Sequence, residues 1–208
     1  MKKVYVTSQV DREKCIGDKI CENVCPAGAI TMNEKKAQVD EDKCVGCFKC
    51  LDVCNEGAIR FVPRSEVRIL RVDPTEVDQT RLHEICRRAN LDPEDPICMC
   101  TLTQAKEVAA AILKGAASPE EVTRMTGIRT ACAMYCMAPV LRLLQASGAE
   151  MSPPSGYKWY PAEAALWDVT DEVARKYPQY RLREDQKAFS DKGMIDNMIS
   201  KLKGGSHA

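Results

Sequence analysis

Cysteine is the residue type best able to carry chemistry in this chain, which has 12 cysteines among 208 residues. Four of them stand close together in the run Cys44-x2-Cys47-x2-Cys50-x3-Cys54. Thiolates are soft ligands that select zinc and iron–sulfur clusters. Three thiolates at this spacing can cap one face of a compact cubane, whereas structural zinc usually takes two separated cysteine pairs. The run therefore predicts a metal centre, with iron–sulfur ligation favoured over zinc.

A disulfide scaffold is the third use for so many cysteines, and the N-terminus argues against it. Two lysines stand near the start, but no long apolar stretch follows them, so we expect no signal peptide. No apolar run approaches the ~18 residues of a membrane span. We therefore expect a cytoplasmic protein with reduced thiols. The formal charge of +0 also argues against a nucleic-acid partner, which would call for a basic excess.

The cysteine run is the second copy of an internal repeat. Residues 40–61 match residues 11–32 at an offset of 29 positions without gaps. Each copy contains a tight cysteine loop, a short turn and an apolar pair suited to a strand. One copy is too small to bury much by itself, so we expect the two to share a core about a pseudo-twofold axis. The cysteines of the first copy are Cys15, Cys21 and Cys25, which align with Cys44, Cys50 and Cys54.

This repeat resembles the bacterial two-cluster ferredoxin, whose cysteine run has the same spacing. The resemblance covers about residues 1–62. It implies two cubane-type clusters, with the fourth cysteine of each run ligating the other cluster. One [4Fe–4S] cluster would then be held by Cys44, Cys47, Cys50 and Cys25. The other cluster would be held by Cys15, Cys21 and Cys54.

The first copy departs from the ferredoxin pattern at one position, where Asp18 aligns with Cys47. Two interpretations are open. Either Asp18 ligates iron through oxygen and completes a [4Fe–4S] cluster, or this corner is empty and the cluster is [3Fe–4S]. A carboxylate is a harder ligand than a thiolate, so a ligated corner would be labile. Its protonation could also couple to reduction of the cluster.

A second set of cysteines lies in a segment patterned for helices. Thr103 and Ser118 are suited to cap two helices, and Pro139 to open a third. The cysteine pairs bracket this predicted helix–turn–helix, each at a helix start, where free N–H groups suit an anionic cluster. The pairs are Cys98 with Cys100, and Cys132 with Cys136.

This segment, roughly residues 95–147, resembles the [2Fe–2S] domain of bacterioferritin-associated ferredoxin, a helical fold with a C-x-C pair and a second close pair. That family also occurs in subunits of flavin-dependent amine and amino-acid dehydrogenases and of nitrite reductases. The resemblance implies a [2Fe–2S] cluster held by Cys98, Cys100, Cys132 and Cys136. The second pair departs from the family, with three intervening residues instead of two. Zinc is the rival metal at this site.

We therefore expect an α+β protein with four segments. They are a ferredoxin-like two-cluster domain (1–62), a linking strand and helix (63–94), an all-α [2Fe–2S] domain (95–149) and an extended C-terminal arm (150–208). The linking strand lies around Val67 and Ile69, and the linking helix follows Asp73. Cys86 falls on the apolar face of that helix and is expected to be a buried small hydrophobe, with a reserve ligand as the alternative.

The arm carries seven of the eleven aromatic residues, suited either to wrapping a partner or to packing back onto the small core. The seven are Tyr157, Trp159, Tyr160, Trp167, Tyr177, Tyr180 and Phe189.

The sequence shows no site for turning over a substrate. It has no glycine-rich dinucleotide fingerprint and no P-loop, and His83 is expected to be solvated. Our first hypothesis is an electron-transfer subunit of an oxidoreductase, relaying electrons through three clusters between a flavin- or metal-containing partner subunit and another carrier. The second is a free ferredoxin. The third is a redox or iron sensor that uses the labile Asp18 corner.

Overall fold

A computed structural model describes residues 2–150 and 169–190 of the chain, with the backbone alone at residues 188–190. The chain forms two compact units, Met1–Tyr160 and Pro161–Ala208. The described part of the first unit combines helices with three two-stranded sheets, which gives the α+β class that the sequence predicts. Within the described ranges, no helix is long and apolar enough to cross a membrane.

Along the chain, the cysteine repeat is flanked by two long strands. Strand β1 (Lys2–Val10) precedes the repeat, and strand β4 (Ile59–Leu70) begins inside its second copy. The two strands pair antiparallel, with the first residue of each opposite the last residue of the other. This pairing joins the chain before the repeat to the chain after it. Val67 and Ile69 belong to this 12-residue strand, so the predicted linking strand is the end of a longer one.

Each copy of the repeat contributes a cysteine loop followed by a short helix. The residue before each helix is left-handed, with φ 65° at Lys19 and 67° at Phe48. A positive φ is uncommon for residues other than glycine, so the copies share an unusual conformation at equivalent positions. The elements inside the repeat are helix α1 (Ile20–Val24), strands β2 (Ile30–Asn33) and β3 (Lys36–Val39), and helix α2 (Lys49–Asp52).

Gly17 is required by the packing of the first cysteine loop against the β2–β3 hairpin. Its φ is +78°, and a Cβ at this position would lie 2.0 Å from the carbonyl oxygen of Lys35. No side chain can be accommodated at that distance, so the loop and the hairpin approach this closely only through glycine. The hairpin thereby positions the loop that carries Cys15 and Asp18.

The rest of the first unit, as far as residue 150, is built around a central helix. Helix α4 contacts α3, α5 and α6, and its residues Val108, Ala109 and Ala110 are fully buried. Because alanine side chains are small, the neighbouring helices can pack closely against it. The elements of this helical module are α3 (Gln79–Arg88), β5 (Pro96–Cys98), β6 (Thr103–Gln104), α4 (Ala105–Leu113), α5 (Pro119–Thr126) and α6 (Met137–Ser147).

The prediction of an all-α fold for residues 95–149 is wrong in one respect, because strands β5 and β6 form a hairpin there. Leu102, with φ 53°, returns the chain tightly between them. Thr103 therefore belongs to a strand and does not cap α4. The cap is Gln104, whose backbone N–H donates to Glu107 Oε2 over 2.8 Å in a capping box.

The other predicted helix starts have mixed outcomes. Ser118 caps α5 as expected, with its Oγ accepting from the backbone N–H of Glu121 over 3.2 Å. The predicted start of α3 is wrong, because Asp73 caps only a 3₁₀ turn at Pro74–Glu76. The chain is then extended at Val77, and a second aspartate, Asp78, caps the helix itself.

In the second unit, residues 169–190 contain helix α7 (Asp171–Lys176), a 3₁₀ turn at Pro178–Tyr180 and helix α8 (Leu182–Ser190). Arg183 Nη2 on α8 pairs with Asp171 Oδ1 on α7 over 2.8 Å. The backbone of this part of the arm is thus helical and not extended. The expectations for Tyr157, Trp159, Tyr160, Trp167 and the Phe189 side chain fall outside what the structure describes.

Candidate iron–sulfur centres

A cavity beside the first copy of the repeat is lined by three cysteines and two carboxylates. Burial raises the pKa of Cys21 to about 11, and negative charge at Asp18, Cys15 and Cys54 adds to the shift. Cys54 comes from the second copy, so the two copies meet at this cavity. The polar residues lining it are Cys15, Asp18, Cys21, Cys54 and Glu56.

Of the two carboxylates that line this cavity, the sequence pattern predicts Asp18 but not Glu56. Asp18 stands at a ligand position of the repeat, and its Oδ1 accepts the backbone N–H of Ile20 over 3.1 Å. That bond orients the carboxylate at the start of α1 and leaves Oδ2 available for other partners. Glu56 is a residue that sequence reasoning missed. It follows Cys54 by two positions, and nothing in the local pattern distinguishes it from a solvated loop residue.

The second group likewise combines cysteines of both copies, three from the second copy and one from the first. Burial raises the pKa of Cys50 to about 12, and the charges of Cys47, Cys25 and Cys44 contribute further. Burial also raises the pKa of Cys47, to which the charge of Cys25 adds. Cys25 belongs to the first copy, so each copy supplies one cysteine to the neighbourhood of the other. Ser8 Oγ lies 3.7 Å from Cys44 Sγ.

Backbone N–H groups point at sulfur in both groups. The N–H of Ala29 donates to Cys25 Sγ over 3.2 Å, and the N–H of Ala37 donates to Cys15 Sγ over 3.4 Å. Such donors stabilise the negative charge of a thiolate and help to set the potential of a cluster bound to it.

A third group of cysteines forms in the helical module. Cys100 Sγ and Cys132 Sγ lie 3.8 Å apart and are exposed, whereas Cys98 and Cys136 are buried. Burial raises the pKa of Cys136 to about 12, and the charge of Cys98 and a hydrogen bond with it add to the shift. The structure therefore brings all four predicted ligands of this site together.

Cys98 has the opposite shift, because hydrogen bonds outweigh its burial. Burial acts to raise its pKa, but the hydroxyl and backbone N–H of Thr101 and the N–H groups of Arg129 and Cys100 lower it overall. The donors at Thr101 and Cys100 belong to the β5–β6 hairpin, whereas Arg129 comes from the segment that follows α5. Cys98 ends strand β5, so the expectation that this pair stands at a helix start is wrong, whereas Cys136 directly precedes α6 as expected.

The extra residue between Cys132 and Cys136 is accommodated by a turn. Ala133 adopts the left-handed conformation, with φ 57°. Hydrogen bonds from the backbone N–H groups of Met134 and Tyr135 lower the pKa of Cys132. The turn thus brings backbone donors to Cys132 while returning the chain to Cys136 at the start of α6. Strained backbone of this kind is commonly found at ligand-binding sites.

Cys86 lies elsewhere, with 0% of its surface exposed in the apolar core around α4. Burial raises its pKa to about 11, and the charge of Asp92 adds to the shift. Its surroundings are those of the small buried hydrophobe that the helix pattern predicts. His83 is exposed on the same helix, and its Nδ1 lies 2.6 Å from the carbonyl oxygen of Gln79.

The donor sets fit iron–sulfur clusters. Each group brings soft sulfur ligands near one another. Burial raises the pKa of Cys21, Cys50 and Cys136, so their thiolates require compensation by positive charge. Bound iron would supply that charge, and the cysteines would give up their thiol protons on ligation. Among the described residues, no three His, Cys, Asp or Glu side chains converge tightly enough to hold a single metal ion.

The second copy of the repeat and the helical module line one cleft. It is lined by Cys47 and Phe48 of the second copy and by Cys100 and Leu102 of the helical module. Lys2 also lines the cleft. Its burial lowers its pKa, and negative charge at Cys47 and Cys44 opposes that shift. The cleft is therefore bordered by the second cysteine group, through Cys47, and by the third group, through Cys100.

Comparisons with family models identify two iron–sulfur domains. Residues 14–58 match the 4Fe–4S dicluster domain, and residues 96–146 match the BFD-like [2Fe–2S] binding domain. The chain therefore combines these two domains, as the two resemblances in its sequence predict, and they support a role in electron transfer. Neither the curated proteins nor the solved structures gave a match to the chain.

Proposed function

We propose that this protein is the electron-transfer subunit of an oxidoreductase and relays electrons through three clusters. The observation that carries the proposal is the cleft shared by Cys47 and Cys100, which belong to different cysteine groups within one compact unit. The bound clusters supply centres that accept and release single electrons. The chain supplies the ligands, the spacing, the hydrogen bonds to sulfur and the burial that tune each potential.

The proposed ligand sets follow the three cysteine groups. Two observations support them. The cysteines within each group affect one another electrostatically, and each copy contributes one cysteine, Cys25 or Cys54, to the group of the other copy. One [4Fe–4S] cluster is held by Cys25, Cys44, Cys47 and Cys50. The second cubane-type cluster is held by Cys15, Asp18, Cys21 and Cys54. The [2Fe–2S] cluster is held by Cys98, Cys100, Cys132 and Cys136.

The proposed architecture has four segments, 1–62, 63–94, 95–149 and 150–208. A pseudo-twofold relation between the copies is supported by the matching left-handed residues Lys19 and Phe48. A helix–turn–helix in the third segment is supported by α4 and α5, which contact each other and are joined by a short turn.

For the Asp18 corner we propose oxygen ligation of a [4Fe–4S] cluster. Asp18 lines the same cavity as its three candidate partner cysteines, and the hydrogen bond from Ile20 holds its carboxylate in place. The alternative is a [3Fe–4S] cluster. A second function, redox or iron sensing at this corner, is favoured by the exposure of Asp18, which allows solvent to displace the weaker ligand.

The surroundings of the third cysteine group favour a subunit over a free ferredoxin. Exposed apolar side chains border the exposed Cys100 and Cys132, with Met134 81% and Tyr135 72% exposed. Met99 and Leu102 extend this apolar rim. Methionine and aromatic side chains are enriched in protein interfaces. We infer that a flavin- or metal-containing subunit of a cytoplasmic complex exchanges electrons with the [2Fe–2S] centre here.

Native purification combined with iron and zinc analysis tests this function. The proposal expects the chain to purify with a second, flavin- or metal-containing polypeptide and to contain iron at all three sites. A stable lone monomer with full iron content would favour the free ferredoxin. Stoichiometric zinc in the purified protein would contradict the [2Fe–2S] assignment.

A further inference from the structure

Arg129 is a buried cation that sequence reasoning did not single out. Only 5% of its surface is exposed, and its backbone is left-handed, with φ 68°. It lies just after α5, in the segment that leads to Cys132. A non-glycine residue with positive φ and a buried charge combines two energetic costs, so its surroundings must hold it in place.

The backbone and the side chain of Arg129 serve different cysteine groups. Its backbone N–H donates to Cys98, in the third group. Its guanidinium Nη1 donates to the carbonyl oxygen of Pro26 over 3.3 Å. Pro26 directly follows Cys25, a member of the second group. A continuous path of covalent and hydrogen bonds therefore runs from Cys98 through Arg129 to Cys25.

The charge of Arg129 acts on the third group, and its side chain also contacts the loop that follows Cys25. The charge opposes the rise in pKa of Cys136 that burial and Cys98 cause, so the guanidinium lies within electrostatic reach of the third group. Nη1 also lies 3.7 Å from Glu120 Oε1, which is itself buried. The Glu120 side chain packs on the first copy, because a Cβ at Gly28 would lie 3.1 Å from Glu120 Cγ.

Arg124 provides a built-in comparison. Its Nη1 donates to the carbonyl oxygen of Ala27 over 2.8 Å, one residue further along the same loop. It also pairs with Glu121 at 3.4 Å. Arg124 therefore ties α5 to the loop after Cys25, as Arg129 does. Unlike Arg129, it is only partly buried, and its backbone is not one of the donors to Cys98.

We propose that Arg129 is a positioning residue that couples the [4Fe–4S] centre of Cys25 to the [2Fe–2S] centre of Cys98, by linking their ligand loops and by placing one permanent positive charge near the Cys98 group and in contact with the loop that follows Cys25. The inference rests on the proposed function. In the coupled step one centre loses an electron and the other gains it, and no atom is transferred. A buried positive charge stabilises the more negative, reduced form of each cluster.

Redox titration of the holoprotein followed by EPR tests the coupling. Asparagine tolerates positive φ, so Arg129→Asn keeps the backbone donor to Cys98 and removes only the guanidinium. Both the [4Fe–4S] and the [2Fe–2S] signals are expected to shift to lower potential in this variant. Arg129→Lys retains the charge and is expected to restore most of both shifts. The matched control, Arg124→Gln, is expected to leave the [2Fe–2S] potential unchanged.

The outcomes separate this inference from the proposed function. Arg129→Asn that shifts neither signal, or only one, would overturn the coupling role. If this variant fails to fold, Glu120→Gln removes the neighbouring negative charge instead, and both potentials should then rise. Unchanged potentials in Glu120→Gln would equally overturn the proposal. Absence of either EPR signal from the unmodified, iron-loaded protein would instead contradict the proposed function.

Discussion

Cys100 Sγ lies 3.8 Å from Cys132 Sγ, although the two residues are 32 positions apart in the chain. The first comes from the β5–β6 hairpin and the second from the turn before α6. Both are exposed, whereas Cys98 and Cys136 are buried behind them. The third cysteine group therefore has an outer pair and an inner pair of candidate ligands.

The outer pair is expected to form a disulfide once iron is removed. The lowered pKa of Cys132 favours its thiolate, the form that attacks during oxidation. Chelation followed by mild oxidation should therefore join Cys100 to Cys132, as peptide mapping by mass spectrometry would show. Cys100→Ser is the control and should lack this product. Preferential bonding between Cys98 and Cys136 would contradict the assignment of outer and inner pairs.

Asp18→Cys is expected to make the first-copy cluster more resistant to oxidation. A thiolate is a stronger ligand for cluster iron than a carboxylate, so the fourth corner should no longer be lost. In the unmodified protein, mild oxidation should release one iron and produce a [3Fe–4S] EPR signal. Glu56→Gln, at the other carboxylate of the same cavity, should behave like the unmodified protein. Equal iron loss from the unmodified protein and Asp18→Cys would contradict ligation by Asp18.

Cys86→Ala is expected to leave the iron content unchanged. The pKa of about 11 keeps the Cys86 thiol protonated near neutral pH, and full burial protects it from alkylation in the folded protein. Loss of its buried sulfur should lower the free energy of unfolding by about 1 kcal/mol. Iron analysis and denaturant unfolding would measure the two effects. Loss of iron would show that Cys86 is a ligand after all.

Gly17→Ala, in the first cysteine loop, is expected to lower the iron content far more than Gly57→Ala, in the turn that follows Cys54. Both glycines have positive φ, +78° and +58°, so each substitution incurs a backbone cost of ~1–2 kcal/mol. Only at Gly17 would the new Cβ also clash, 2.0 Å from Lys35 O, whereas nothing lies within 4 Å at Gly57. The iron content of each variant would measure the difference. Similar losses of iron from the two variants would contradict the role of Gly17 in packing the loop against the hairpin.

Much of the candidate site is predictable because the candidate cluster ligands stand at short, fixed spacings along the chain. The repeat carries its cysteines and Asp18 at fixed offsets, and the C-x-C pair is recognisable from a few neighbouring residues. The cap at Ser118 is equally local, since it depends on Pro119 and Glu121 nearby. These signals sufficed to predict both iron–sulfur domains and the α+β class.

The features that sequence reasoning missed depend on contacts between distant parts of the chain. Arg129 and Pro26 are 103 positions apart, and nothing near either residue announces their hydrogen bond. Likewise, Glu56 lines the same cavity as Cys15 and Asp18 because the two copies of the repeat fold together. The start of α3 was missed for another reason. Asp73 and Asp78 are both good caps, and the extended backbone at Val77 decides between them.

The most direct test of the proposed relay is a reductive titration of the purified holoprotein followed by EPR, with the electrons taken up per chain counted. Three one-electron centres predict an uptake of three electrons, with signals from two cubane-type clusters and one [2Fe–2S] cluster. An uptake of two electrons, with zinc present and no [2Fe–2S] signal, would contradict the three-cluster relay.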